Sequence, residues 1–247
     1  MPRRFKGDAT APWDAQFRTR SVRQFFMDSV PVARGTKSAG SSATFLCNGA
    51  TVDTGVGAAK LWHDVEHNHE INDFWEYPQE VMAFIHSATF TNPAGSQSVG
   101  IYIGGTGTIN DGAESSGLGL MALRYMSATA KWQLRVWDGD LNSADYDCTA
   151  QPDAQAGVWL RLLFIPRGSA RGGRFAQVQC WVGNPPVLIH TQSDAMTDGI
   201  GGGGADYGAG IFAQSGSNAA GRVSNFTFSH FHAISHMNIP GGVLAVV

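Results

Sequence analysis

The stretch from Val158 to Val182, VWLRLLFIPRGSARGGRFAQVQCWV, constrains this chain more than any other. Two alternating runs flank a turn rich in Gly, Arg and Ser. In the first, Val158, Leu160 and Leu162 alternate with Trp159, Arg161 and Leu163. In the second, Ala176, Val178, Cys180 and Val182 alternate with Phe175, Gln177, Gln179 and Trp181. A period of two is that of a β-strand with one face in a core and the other outside. The stretch therefore reads as a hairpin, with its aliphatic face inward. Its outward face carries Trp, Arg and Gln, an unusual set for plain solvent, and is the first place to look for a ligand.

Similar runs recur along the chain. Residues 44–62 read as a strand, a Gly-rich turn and another strand. In residues 79–88, Val81, Ala83 and Ile85 oppose Glu80, Met82, Phe84 and His86. Further strands are expected at 99–103, 118–126, 131–137, 207–213 and 222–233. In the last of these, Phe226 and Phe228 are expected to point one way and Val223, Asn225 and Thr227 the other. His230 and His232 would then follow the two phenylalanines as core or rim residues. The Asp-Gly step in WDGDLN supplies the positive φ of a tight hairpin. Residues 185–192 hold two prolines, which suit an edge strand and not a central one. With about twelve such runs, no amphipathic helix, 31 glycines and only 15% charged residues, the chain is all-β, a sandwich or a barrel.

The organisation expected is an N-terminal arm over residues 1–45, a sandwich over 46–236 and an apolar tail over 237–247. The net charge of −3 gives no overall attraction to nucleic acid or anionic lipid. It is unevenly distributed, because eight of the 17 Lys and Arg fall in the first 37 residues, among scattered aromatics such as Phe5, Trp13 and Phe17. That mixture suits either a mobile terminus or an anchor lying on a neighbouring subunit. No apolar run is long enough to span a membrane, and no signal-peptide core follows the basic start. Cys47, Cys148 and Cys180 form no CxxC pair and are expected as reduced thiols.

The order of motifs resembles a known superfamily. "DFWE…EVMAFI" precedes "VGIYIGG", followed by "GLGLMALRY", "WQLRVWDG", "VWLRLLFIPRG", "RFAQVQCWVGNPPVLIHTQ", "DYGAGIFAQSG" and "GRVSNFTFSHFHA". Over roughly residues 70–234 this is similar to the concanavalin A-like jelly roll, of laminin-G-like and glucanase type. The resemblance implies a two-sheet antiparallel jelly-roll sandwich whose concave face often binds carbohydrate. Lectins, glycanases, adhesion modules and virion surface proteins share that fold, and fold alone does not choose among them.

The candidate ligand surface is Gln133, Arg135, Trp137, Trp159, Arg161, Gln177, Gln179 and Trp181, expected to lie together. Aromatic rings stack on sugar rings while amides and guanidinium groups hydrogen-bond the hydroxyls. The same residue types also make protein interfaces. Laminarinase-type members of the superfamily carry a Glu-x-Asp-x-Glu strand. Here the nearest string runs from Glu70 to Glu76, with Asn72 in the middle position and the second glutamate too far along. That departure argues against catalysis, with Glu70 and Glu76 as the acidic pair of the alternative. His63, Glu66 and His67 match HxxEH, with His69 close by, a zinc-like spacing set against the alternative of a polar loop. Asp138, Asp140 and Asn142 resemble the start of a calcium loop, but Ser143 and Thr149 stand where such a loop needs Gly and Glu, which favours a turn. Apart from this weak place for calcium, no cofactor is expected.

The function expected is that of a non-catalytic, lectin-like β-sandwich serving as a structural or adhesion component of a virion, on a phage tail or capsid surface, assembled in the host cytoplasm. Its partners would be other copies of itself and neighbouring virion proteins, with carbohydrate as a ligand and neither membrane nor nucleic acid. A glycoside hydrolase or polysaccharide lyase of the same fold is the alternative.

Overall fold

A computed structural model describes residues 36–37, 42–46, 49–54, 59–63, 78–92, 97–105, 121–137, 143–148, 157–170, 173–196, 208–215 and 221–235. These residues form fourteen strands: β1 (Thr36–Lys37), β2 (Ser42–Leu46), β3 (Gly49–Asp53), β4 (Ala59–His63), β5 (Gln79–Phe90), β6 (Ser98–Gly105), β7 (Met121–Met126), β8 (Lys131–Trp137), β9 (Ser143–Asp147), β10 (Val158–Ala170), β11 (Gly173–Gly183), β12 (Pro186–Met196), β13 (Gly208–Gln214) and β14 (Val223–Ser235). They pair antiparallel into two seven-stranded sheets. The first has the order β1-β4-β13-β6-β7-β8-β9 and the second β12-β11-β10-β5-β14-β3-β2. Among the described residues there is no helix, and none long and apolar enough to cross a membrane. The molecule is the all-β, two-sheet sandwich that its alternating runs imply.

One hydrophobic core lies between the sheets. The inward faces of β5, β10 and β11 contribute Ile85, Leu160 and Val178, and the first sheet answers with Ile101, Leu123 and Trp132. Trp132, Phe164, Phe226 and Phe228 are fully buried. Each such side chain stabilises the fold by about 1.5–3 kcal/mol relative to an exposed one. At the centre of the first sheet β6 and β7 approach so closely that only glycine fits at position 100. A Cβ there would lie 2.1 Å from the Leu123 carbonyl oxygen.

The hairpin of β10 and β11 follows the alternation from Val158 to Val182, with Leu160 opposite Val182 and Leu162 opposite Cys180. Pro186 opens β12, and β12 takes the edge of the second sheet, where its missing backbone donor disturbs no inner ladder. Three details differ from the sequence reading. The sandwich recruits Thr36–Lys37 and Ser42–Leu46, so the sheets begin upstream of residue 46. SADYD forms a strand, β9, despite its poor β-propensity, because it is an edge strand facing the cationic side chains of β7 and β8. Val223 shares the core with Phe226 and Phe228 instead of opposing them. The cause is an irregularity of pairing between Ser224 and Thr227 at Asn225, which has φ 51°. One extra residue shifts the period of two by one step.

The two sheets are fastened along one rim. At one edge Tyr146 of β9 stacks on His190 of β12, with ring centroids 5.9 Å apart. Cys148 and Cys180, both free thiols, are buried in the same core. Burial raises the Cys180 thiol well above its ordinary pKa, reinforced by a hydrogen bond with Cys148. Within the second sheet, Thr54 at the end of β3 and Val223 of β14 exchange backbone and side-chain hydrogen bonds at 3.0 Å. Beside them Arg222 Nε donates to Asp53 Oδ1 at 2.8 Å.

Candidate functional site

The strand register sets the outer face of the second sheet into rows. One row runs Gly183, Trp159, Phe84 and Ser229, the next Leu188, Trp181, Arg161 and Met82, and a third Gln179, Leu163 and Glu80. Trp159 and Trp181 are half-buried, while Gln179, Leu163 and Glu80 are buried although they point away from the core. The face is thus shielded at its Leu163 row and more open at its Trp159 row.

Arg161 connects these rows. Its Nε donates to Glu80 Oε1 at 2.6 Å, and its guanidinium carbon lies 5.1 Å from the Trp181 ring centroid. Contacts of that geometry are worth roughly 0.5–2 kcal/mol, more as they are desolvated. Two buried polar atoms on the same face of β11, Gln179 Oε1 and Trp181 Nε1, have no hydrogen-bond partner among the described residues. A buried donor or acceptor left unmade costs about 1–3 kcal/mol, so such atoms mark where a water or a ligand group belongs.

An aromatic cluster occupies the open end. Phe84 packs edge-on against Trp159 at 5.2 Å and against His86 at 4.7 Å. His86 Nε2 and Ser229 Oγ are hydrogen-bonded at 2.8 Å. His230 lies 5.6 Å from Trp159 with its ring tilted by 30°. It gets there through a bulge. From Phe84 to Met82 is two residues, whereas their partners Ser229 and His232 are three apart. His230, with φ 52°, absorbs the difference. Bulges of this kind re-aim side chains and gather near binding sites. The sequence reading, which continued the Phe226 and Phe228 face through His230, is therefore corrected: His230 is exposed and turned to the outer face.

Of the eight residues expected on one surface, Trp159, Arg161, Gln177, Gln179 and Trp181 do share this face. Gln133 and Arg135 do not, and neither does the strand position of Trp137. They belong to β8 in the first sheet, whose inward residues are Trp132, Leu134 and Val136. Their outer face therefore looks in the opposite direction, and one common surface is excluded. The physical reason is that the chain changes sheets between β9 and β10, which alternation along a strand does not reveal.

That opposite face is a ladder of paired charges. Arg124 and Arg135 both bind Asp145, at 3.0 and 2.8 Å. Gln133 donates to Asp147 at 2.8 Å, and Lys131 pairs with Asp147 as well. The hydrogen bonds from Lys131 and then Gln133 hold the Asp147 carboxyl below its ordinary pKa.

His63 ends β4, with its backbone opposite Gly210. Glu66, His67, His69, Glu70 and Glu76 lie outside the described residues, as do Asp138, Asp140 and Asn142. Among the described residues no group of three His, Cys, Asp or Glu side chains is placed to hold a metal. The features that sequence reasoning missed are the Phe84–His86–Ser229 contacts and the turned His230. The β5 alternation did assign Phe84 and His86 to the outward side, but nothing local marked the bulge.

No protein-family model and no curated protein matches the chain. Among solved structures, a functionally unknown protein from Saccharomyces cerevisiae superposes with a TM-score of 0.50 at 11% identity, covering 83% of this chain and 98% of its own. An endo-β-1,4-glucuronan lyase from Trichoderma reesei gives 0.49 at 10% identity, over 86% and 95%. A legume lectin-like domain from Entamoeba histolytica gives 0.47 at 11%, over 77% and 85%. At 11% identity the likeness to the first is one of fold alone, that of a two-sheet antiparallel β-sandwich.

Proposed function

We propose that this chain is a non-catalytic, lectin-like β-sandwich that binds carbohydrate on the outer face of its second sheet. The observation that carries this is the pairing of Trp159 and Trp181 with two polar atoms, Gln179 Oε1 and Trp181 Nε1, that no group among the described residues satisfies. Indole faces offer stacking surface to a sugar ring, and unmet donors and acceptors offer bonds to its hydroxyls. Glycoside hydrolysis fits the same face poorly. Among the described side chains of β5, β10 and β11 the only carboxylate is Glu80, and Arg161 holds it. Glycoside hydrolysis needs two carboxyl groups flanking the scissile bond.

The test is a glycan array on the purified chain, followed by calorimetry. Trp159→Ala should weaken binding at least tenfold without loss of fold, and no reducing ends should appear. Absence of binding across the array would remove the proposal. Released reducing ends would replace it with the glycan-cleaving alternative.

The setting proposed with it is a virion surface, with further copies of the chain as partners. Its support is the concentration of Arg, Lys and aromatic residues in the first 37 positions and the apolar end IPGGVLAVV, both suited to protein contacts. Light scattering tests it: an oligomer that dissociates when residues 1–35 are removed is expected. A monomer unaffected by the truncation would count against it.

A further inference from the structure

We infer that the face takes a neutral, hydroxyl-rich oligosaccharide and discriminates against uronates, an inference that rests on the saccharide reading above. The first argument is the kind of atom left unpaired. Gln179 Oε1 is an acceptor and needs a donor, whereas Trp181 Nε1 is a donor and needs an acceptor. A sugar hydroxyl does both. A carboxylate only accepts, so it can serve the indole N–H but sets oxygen against oxygen at Gln179. Both atoms are shielded from bulk water, which cannot relieve that mismatch.

The second argument is charge. The cation to which a uronate would turn is Arg161. Its Nε is engaged by Glu80, whose side chain is only 8% exposed, and its guanidinium lies against the Trp181 ring. Among the described side chains of β5, β10 and β11 there is no other Lys or Arg. Among the described side chains of these strands Arg161 and Glu80 thus balance each other in charge. A uronate would have to displace a buried carboxylate or lie beside it, and like charges brought together repel. The remaining guanidinium N–H groups serve hydroxyl oxygens instead. The third argument is length. The rows of Trp159 and Leu163 are four residues apart along β10, about 13 Å at strand rise. A ligand that touches both Trp159 and Gln179 is thus an oligosaccharide and not a single ring.

The experiment titrates the full-length chain with neutral gluco-, manno- and galacto-oligosaccharides and with alginate, polygalacturonate and glucuronan oligosaccharides, at low and high salt. A neutral sugar should bind with salt-independent affinity, and every uronate at least tenfold more weakly. Gln179→Leu should weaken the neutral sugar at least tenfold. Glu80→Gln, which frees the Arg161 charge, should raise uronate affinity at least tenfold, and it carries the test alone if Gln179→Leu fails to fold. Salt-sensitive uronate binding that disappears in Arg161→Gln would overturn the inference while leaving saccharide binding in place. Unchanged neutral-sugar affinity in folded Gln179→Leu would overturn it too, because an ordered water and not the ligand would then satisfy that atom. Binding of neither class would overturn the saccharide reading itself.

Discussion

Arg161 and Glu80 form a 2.6 Å hydrogen-bonded ion pair on the side of the second sheet that faces away from the core. Because Glu80 is buried and Arg161 is 23% exposed, deleting one partner strands a charge with little water to receive it. Glu80→Ala is expected to cost about 2–3 kcal/mol in urea unfolding. The double change Glu80→Leu with Arg161→Leu should recover most of that loss. Equal destabilisation in single and double variants would show that the pair is not the cause.

The stack of Tyr146 on His190 makes the rim of the sandwich sensitive to pH. Burial lowers the His190 pKa from its ordinary 6.5, only partly opposed by a hydrogen bond with Gln192. The unfolded chain therefore binds the proton more readily than the folded one. Stability is fully present above about pH 6.5 and falls as the pH drops through the window between 6.5 and the lowered folded value. Melting temperature should decline across that window, and His190→Phe, which keeps a ring on Tyr146, should flatten the decline. An unchanged slope in the variant would assign the effect to another histidine.

The bulge at His230 predicts a contrast between two substitutions. At φ 52° an L side chain is disfavoured, a β-branched one most of all. His230→Val should therefore be less stable than His230→Gly by about 2 kcal/mol. The glycine variant should keep the fold yet bind saccharide less tightly, since the ring beside Trp159 is gone. Chemical denaturation and calorimetry read the two effects separately, and equal stability of the two variants would count against the bulge.

At Gly100 there is no room for even a methyl group beside the Leu123 carbonyl. Gly100→Ala should push β6 from β7 and destabilise the fold by about 3 kcal/mol, measured by loss of melting temperature. A variant that melts with the parent would contradict the close approach.

The faces of single strands were legible because burial follows a period of two: Leu160, Leu162, Val178 and Val182 announced the core, and Trp159, Arg161 and Trp181 the outside. Partnership between strands was not. Gln133 and Arg135 carry the same kind of side chains as Arg161 and Gln179, yet they stand on the other sheet, because nothing within a strand encodes which layer it joins. The edge strand β9 escaped notice because Ser, Asp and Asp speak against a strand until their cationic partners across the ladder are known. The turned ring of His230 escaped for a different reason. A single inserted residue changes every orientation after it, and no residue type in SNFTFSHFHA signals where it falls.

The opposed directions of the Arg124–Asp145 ladder and the Trp159 cluster have a practical result for anyone who tethers this molecule. Attached to a sensor chip by the Lys131 amine, which stands beside that ladder, it presents the aromatic side to the flowing analyte. Fixed the other way round, the same folded sample would turn that side toward the chip.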